Sequence, residues 1–438
     1  MIRPSAVAGR TFSSLRVRNY RVYFGGQLVS LTGTWMQSVG QAWLVLRLTG
    51  SGVALGAIMA TRFLPMLLAG PWAGVVADRV DKRRLLLVTQ SSAASLALTL
   101  GILDVTGLVR LWIVFTLAAL LGVVNLFDMP TRQAFVMEIV GPDDVANAVS
   151  LNSVLVNASR IVGPAVAGLL IAAVGEGICF LVNAASYLAV LSGLALMRPS
   201  ELRPRTVVAR ARGQMRAGLR YAWRTPEVRV PLLLMAVVGT LGFNFSVLVP
   251  LLARFTFGVG PGGYGVLFSL MGLGAVLGGL VIATRARATG ALLAGAGLAF
   301  GVLLCLIAAS PSFGVAMVVM VPMGAASTAF IATSNSLLQL RSRPEMRGRV
   351  MALFSMVFLG TTPLGGPLIG WVAQRFDPPM GFVAGGLATT VAALLAVRSL
   401  RASDGRRPAA SRFQVETPMP PATTSVVSLE VEPEAARS

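Results

Sequence analysis

The sequence has no histidine, one lysine (Lys82), two cysteines and only 12% charged residues in 438. Without histidine, no side chain titrates near neutrality by default, so any proton carried through the molecule must ride on a carboxylate. Cys179 and Cys305 fall singly inside apolar runs, which argues against a thiolate metal site or a disulfide framework. The only lysine does not follow a phosphate-cradling Gly-x4-Gly-Lys-Ser/Thr loop, so ATP hydrolysis by this chain is not expected. No cofactor, no metal and no enzymatic activity are anticipated. A soluble domain carries about 25% charged residues, so the shortage of charge also speaks against a water-facing fold.

What is present is hydrophobic: 55% of the residues, in runs of about 20 or more, each long enough to cross a hydrocarbon layer about 30 Å thick as a helix. Long continuous runs suit helices, which satisfy their own backbone in lipid, and not a barrel of short alternating strands. Twelve runs lie near 22–46, 53–76, 85–106, 109–129, 146–172, 177–197, 230–254, 263–284, 289–309, 313–338, 349–372 and 379–397. Residues 1–20 lack the short apolar core and cleavage site of a removable signal. The net charge of +20 belongs to arginine-rich loops and not to a nucleic-acid surface. With both termini placed in the cytoplasm, 31 of the 37 basic residues fall on the cytoplasmic side, as expected for a multi-pass protein of a plasma (inner) membrane.

An internal repeat with an offset of about 203 residues aligns Gly163, Pro164 and Gly168 of the fifth run with Gly366, Pro367 and Gly370, the last one step short, in the eleventh. These are helix-packing residues, and repeats of this kind mark secondary transporters with a site between two halves. The expected architecture is all-α, with twelve transmembrane helices in two pseudo-symmetric six-helix bundles. Its parts are a cytoplasmic segment 1–21, a first bundle 22–197, an Arg-rich linker 198–229, a second bundle 230–398 and a disordered cytoplasmic tail 399–438. Within the linker, residues 213–224 are expected to form an amphipathic helix on the membrane surface.

Between the second and third runs stands GVVADRVDKRRLL, with Gly74, Asp78, Arg79, Lys82 and Arg83. This loop resembles the major facilitator superfamily signature Gly-x-Leu-Ala-Asp-Arg-x-Gly-Arg-Lys, departing from it at Val76 and Asp81. NYRVYFGGQLVSLTGTWMQ, RFLPMLLAGPWAGVVADR and GLRYAWRTPEVR further resemble the branch that contains the enterobactin exporter and proton-linked drug efflux proteins. The resemblance covers about residues 12–398. It implies the major facilitator fold, a latch in which Asp78 docks on the eleventh helix beside its basic neighbours, and a cavity lined by helices 1, 4, 7 and 10. It also implies efflux by proton antiport. Asp128 is expected to join the latch by pairing with Arg83 or Arg79.

Polar residues in lipid are costly and should face a cavity or another helix. Gln27, Ser30, Thr34, Gln37 and Gln41 keep to one side of the first helix, and Ser150, Ser153, Asn157 and Arg160 repeat the pattern in the fifth. Two readings stay open for these stripes: cavity lining, or hydrogen-bonded glue between helices. Arg62 and Arg160 lie near mid-depth with no carboxylate at their level. They suggest attraction for an anionic or acceptor-rich substrate such as a catecholate or carboxylate, a structural charge capped by carbonyls and Asn157, or a gate. Gln37, Gln41, Arg62, Asn157, Arg160 and Asn244 are the substrate-binding candidates. Asp104 and Asp128 are the proton-carrier candidates, although neither sits at the midplane. The glycines Gly272, Gly274, Gly278 and Gly279 of the eighth run are expected to let the fifth helix approach closely. The favoured function is export of a small amphipathic molecule (siderophore, drug or metabolite) by a monomer in the bilayer. Import by the same fold, or a sensor or scaffold that does not transport, are the alternatives.

Overall fold

The computed structural model of the chain describes residues 12–203, 214–285 and 288–404, which form helices joined by short turns. In the first half these are α1 (Arg18–Thr49), α2 (Gly52–Arg79), α3 (Lys82–Val105), α4 (Leu111–Val140), α5 (Val145–Val174) and α6 (Glu176–Ala195). The second half holds α7 (Pro226–Thr256), α8 (Pro261–Ala283), α9 (Gly290–Ala308), α10 (Phe313–Arg341), α11 (Arg347–Arg375) and α12 (Pro378–Asp404). Eleven of them are long and apolar enough to cross a membrane. The exception is α1, whose 32 residues suffice in length but include Gln27, Gln37, Gln41 and three arginines, which lower its hydropathy.

Turn chemistry makes neighbouring helices antiparallel. α1 stops at Gly50, whose φ of 61° suits a residue without a Cβ, and Ser51 then accepts from the Ala54 N–H to start α2. Asp81 caps α3 in the same way, accepting from the Arg84 N–H.

Three elements differ from the sequence expectation. α4 continues to Val140, eleven residues past the predicted end, because the ring of Pro130 is accommodated inside the helix; Arg132 is therefore helical and not in a loop. α7 is interrupted: π-helical turns occupy Val238–Gly242 and Leu252–Thr256, and Phe243 and Asn244 leave the helix between them. α11 breaks at Thr361. The two breaks meet, since a Cβ on Gly239 would lie 2.6 Å from Thr361 Oγ1, and Gly365 sits directly on the Thr240 carbonyl.

The halves cross at two equivalent places, α2 on α11 and α5 on α8. Backbone touches backbone there: a Cβ on Gly52 would lie 2.6 Å from the Gly370 oxygen, and one on Gly265 would lie 2.5 Å from that of Pro164. Gly56 is pressed on Gly366 in the same manner. Hydrogen bonds reinforce this end: Ser51 Oγ donates to Gln374 Oε1 at 2.7 Å, and Arg254 to the Leu46 carbonyl at 3.0 Å. All of this lies away from the basic loop Arg79–Arg84. Toward the basic end these backbone contacts between the halves give way to side chains, Leu67 of α2 lying against Gly360 of α11. α5 buries Gly163, Pro164, Ala167 and Gly168 but exposes Val149, Ser150, Ser153 and Val154, while α8 buries Tyr264, Leu267 and Phe268 but exposes Leu277, Leu280 and Val281.

Candidate functional site

Where the two breaks meet, a cavity of about 220 Å³ opens between the halves. Met59 and Phe63 of α2 form one side; Phe243, Asn244, Ser246 and Val247 of α7 and Phe358, Leu359, Thr362 and Gly366 of α11 form the other. Asn244 is buried and donates to the Thr240 carbonyl at 2.8 Å, replacing a backbone partner lost at the break. Phe243 anchors an aromatic wall, its ring 5.1 Å from Phe300, 6.0 Å from Phe358, 6.1 Å from Phe245 and 6.3 Å from Phe330. Offset and edge-on contacts of this kind add about 0.5–1.5 kcal/mol per pair beyond simple burial.

The first bundle carries the charge. Asp128 of α4, its side chain 3% exposed, accepts from Thr89 Oγ1 at 2.9 Å and Gln90 Nε2 at 2.6 Å on α3, and forms an ion pair with Arg132 one turn along its own helix. Arg132 also donates to Gln27 of α1 at 3.1 Å. One carboxylate thus ties three helices together. Tyr23 Oη, Gln27 Nε2, Gln90 Oε1 and Arg132 Nε around it are buried without a hydrogen-bond partner, so the network holds unused donors and acceptors. Near the basic end Lys82 pairs with Glu138 at 2.7 Å, and at the opposite end Arg47 pairs with both Asp104 and Glu176.

Two arginines stand apart from these pairs. Arg62 of α2 donates from Nη1 to Ser38 Oγ at 3.3 Å, and Arg160 of α5 places its guanidinium 5.7 Å from the Trp35 ring centre. The Nε of each is buried with no hydrogen-bond partner. Trp35 and Ser38 are three residues apart and share a face of α1, so both guanidiniums converge on one turn of that helix. The Trp35 ring also faces Phe268 of the second bundle at 6.3 Å, which puts Arg160 at the boundary between the halves.

Other sequence candidates lie elsewhere than expected. Gln37 accepts from Asn183 of α6 and Thr34 meets Tyr187 of the same helix at 3.5 Å, so this part of the α1 stripe faces its own bundle as interhelical glue, whereas Gln41 is buried with its Oε1 unpartnered. Asn157 donates to the Ser153 carbonyl at 2.8 Å on its own helix and does not cap Arg160. Asp128 does not pair with Arg83 or Arg79, because Arg132 reaches it from the same helix. Arg83 instead donates to the carbonyls of Leu194 (2.7 Å) and Ala195 (3.2 Å), where a cation suits the negative end of α6. It therefore holds its own half and not the opposite one. Gly74 and Arg79 end α2, Arg79 exposed; the side chain of Asp78 lies outside the described residues. Gly163 rests on Trp35 and Thr32, and Gly168 faces Pro261 of α8 at 3.0 Å. Of the α8 glycines, Gly272 meets α5 at the Arg160 carbonyl, whereas Gly274 and Gly278 meet α10 at Val321 and Ala325. The linker helix spans Gln214–Arg224, with Tyr221 Oη accepting from the Arg343 N–H at 3.2 Å and Leu219 and Trp223 exposed.

Sequence reading missed Arg132 and the aromatic wall. The i,i+4 spacing of Asp128 and Arg132 is a helical ion-pair signal, but Pro130 between them reads as a helix end. The wall comes from four helices, and no linear spacing announces it.

Residues 9–426 match the profile described as transmembrane secretion effector. The chain is 27% identical over 266 residues to the staphyloferrin A transporter of Staphylococcus aureus, covering 60% of this chain and 66% of that one. It is 26% identical over 381 residues to the multidrug efflux pump Tap of Mycolicibacterium fortuitum, covering 84% and 93%. Among solved structures, a bacterial homologue of the human lysosomal transporter Spinster, inward-facing and unoccupied, superposes with a TM-score of 0.70 at 16% identity, over 93% of this chain and all of that one. A bacterial homologue of the iron transporter ferroportin, also inward-facing, gives 0.68 at 17% identity, over 89% and 99%. These structures share the fold.

Proposed function

The chain belongs to the transmembrane secretion effector family of major facilitator transporters, and on that premise we propose that it exports a small amphipathic molecule across the plasma membrane by alternating access driven by proton antiport. The observation that supports this reading is the asymmetry of the half-to-half contact: glycine backbones seal the end opposite Arg79–Arg84, whereas toward the basic end the halves meet through a side chain, Leu67, on Gly360. In this reading the basic loops and both termini face the cytoplasm, and the more loosely joined end is the one through which cargo enters. A cargo entering between the bundles from within reaches the 220 Å³ cavity at the breaks of α7 and α11. Interrupted helices at such a place let backbone groups face a ligand without breaching the rule that lipid-exposed backbone must be satisfied.

Asp128 is the proton carrier in this scheme. With no histidine available, it is the least exposed of the ion-paired carboxylates described, held by donors on α3 and α4. As a carboxylate it accepts from Thr89, Gln90 and Arg132 together. Once protonated it has one donor of its own and no charge for Arg132, so its grip on α3 weakens and Arg132 swings its charge toward Gln27 and Tyr23. That change loosens the packing of the first bundle and biases the tilt of one half on the other.

The test is transport in proteoliposomes with an imposed pH gradient, acid on the face opposite the basic loops, using a mixed panel of amphipathic dyes, drugs and carboxylate chelators. The parent protein is expected to move at least one compound several-fold against its gradient, with the effect abolished by a protonophore. Asp128→Asn is expected to keep downhill exchange and lose gradient-driven accumulation. Gradient-driven accumulation by Asp128→Asn equal to the parent's would remove Asp128 from the scheme, and a parent indifferent to the gradient would remove proton antiport.

A further inference from the structure

Each buried carboxylate whose partners are described is already matched: Asp128 with Arg132, Glu138 with Lys82, and Asp104 and Glu176 with Arg47. Arg62 and Arg160 have no such match among the described residues; a hydroxyl and an indole face are what they touch. Asp78 sits 16 residues along the same helix from Arg62, about 24 Å away at 1.5 Å per residue, so it does not reach it either. An arginine at mid-membrane costs about 2.5–3.5 kcal/mol even where water and neighbours soften the penalty. A fold that matches its other interior cations and leaves two converging on one turn of α1 has an anion missing from the account.

The place of these two groups is as telling as their charge. Arg62 lies on α2 between Met59 and Phe63, both of which line the central cavity. Arg160 lies on Trp35, whose ring reaches Phe268 across the boundary between halves. Across the boundary the second bundle offers Phe268 to Trp35, and Phe243 and Phe358 with Asn244 and Thr362 to the cavity that Met59 and Phe63 also line, and no charged residue of that bundle is buried among those described. Hence the two sides of the crevice differ in what they can bind: guanidinium forks suited to a planar oxyanion on one, aromatic surface on the other.

We propose that Arg62 and Arg160 together form the anion-reading edge of the central site. The transported molecule is then an amphipathic organic anion, its carboxylate-like group against these two arginines and its apolar body against the phenylalanine wall of the second bundle. This rests on the transporter reading above and adds the charge and the orientation of the cargo. The anion is bound while the molecule is open at the basic end. When the bundles tilt, α2 and α5 carry the two arginines with the first half, while the apolar contacts belong to the second, so the tilt itself separates the two halves of the grip and favours release.

Equilibrium binding to the full-length protein in nanodiscs tests this without any transport step. Three probes share one apolar body: 1-naphthaleneacetate, its neutral amide 1-naphthaleneacetamide, and the cation 1-naphthylmethylammonium. Quenching of tryptophan fluorescence and isothermal titration both read binding. The parent is expected to bind the acetate at least tenfold more tightly than the amide and to bind the ammonium weakest. Arg62→Gln and Arg160→Gln are each expected to lose about tenfold for the acetate while holding the amide within twofold, which also shows that the fold survives. Should either variant lose all three probes, Arg62→Lys and Arg160→Lys decide: retained preference for the acetate supports the proposal, and a lost preference overturns it. Equal binding of acetate and amide by the parent, no binding of the acetate, or acetate affinity untouched in both glutamine variants would each overturn it. A parent that prefers the acetate yet ignores a pH gradient keeps this site and sinks only the antiport scheme. A parent that accumulates neutral or cationic compounds under the gradient without preferring the acetate does the reverse.

Discussion

The first bundle buries Asp128, Glu138 and Glu176 together with Gln27, Gln37, Gln41 and Gln90, whereas the second buries no charged residue among those described and gathers Phe243, Phe245, Phe300, Phe330 and Phe358 at its centre. Their helices differ in the same sense. α1, α4 and α5 run unbroken, while α7 and α11 are interrupted beside the cavity. The contrast teaches a division of labour: continuous helices hold charges in a fixed relation, and broken helices with an apolar interior provide a deformable wall. A pseudo-symmetric fold can thus place ion chemistry in one half and cargo packing in the other, with the glycine crossings of α2 on α11 and α5 on α8 as the shared pivot.

The largest expected effect breaks the charged half. Arg132→Leu leaves Asp128 buried with only two neutral donors, and removing one partner of a buried pair costs about 3–5 kcal/mol. A marked fall in the thermal midpoint in detergent is expected, and the double variant Asp128→Leu, Arg132→Leu is expected to recover much of it, since paired apolar replacements of similar volume are near neutral. A double variant as unstable as the single would mean that the carboxylate's bonds to α3 matter more than its charge.

Much of this arrangement was legible in the residues. Twelve runs, the arginine bias and the Gly-Pro repeat describe the fold because length, charge and small-residue spacing are one-dimensional signals. Arg62 and Arg160 stood out because charge in an apolar run is conspicuous in itself. The partners of Asp128 were not legible, since Thr89 and Gln90 come from another helix and the choice between Arg83 and Arg132 depends on α4 running through Pro130. The stripe on α1 stayed ambiguous for a related reason: periodicity tells which residues share a face, but not whether that face meets α6 or a crevice.

The pivot shared by both halves offers the next test. Gly56→Ala pushes a Cβ into the Gly366 backbone, which has no rotamer by which to yield. Overpacking of this kind costs about 1–3 kcal/mol. It should also weaken closure at the end opposite the basic loops, read as faster labelling of a cysteine placed at Ser51. Gly279→Ala, whose Cβ would meet only the Thr328 methyl at 3.7 Å, is the matched control and should change neither. Equal behaviour of the two variants would remove the crossing from its role as pivot.

A smaller effect is expected where the first bundle uses polar groups only as glue. Gln37→Leu strands the buried Asn183 amide, which loses its acceptor. An unsatisfied buried group costs about 1–3 kcal/mol. Adding Asn183→Leu should restore part of that loss while leaving probe binding unchanged. A large drop in acetate binding in the double variant would move Gln37 from the bundle interior to the binding surface.

The smallest change sharpens the contrast from the other side. Phe243→Leu keeps an apolar side chain at the break in α7 but removes four ring contacts at 5.1–6.3 Å. Leucine keeps part of that packing, so the four ring contacts, about 0.5–1.5 kcal/mol each, are lost only in part and stability should fall by about 2 kcal/mol. If the second bundle contributes apolar surface alone, the affinities for naphthaleneacetate and naphthaleneacetamide should fall together, each about threefold, and their ratio should stay as in the parent. That ratio is the sensitive quantity. A change in it would mean that the phenylalanine wall sets the field felt by Arg62 and Arg160, by excluding water from them, and the two halves would then read charge jointly through the dielectric they share.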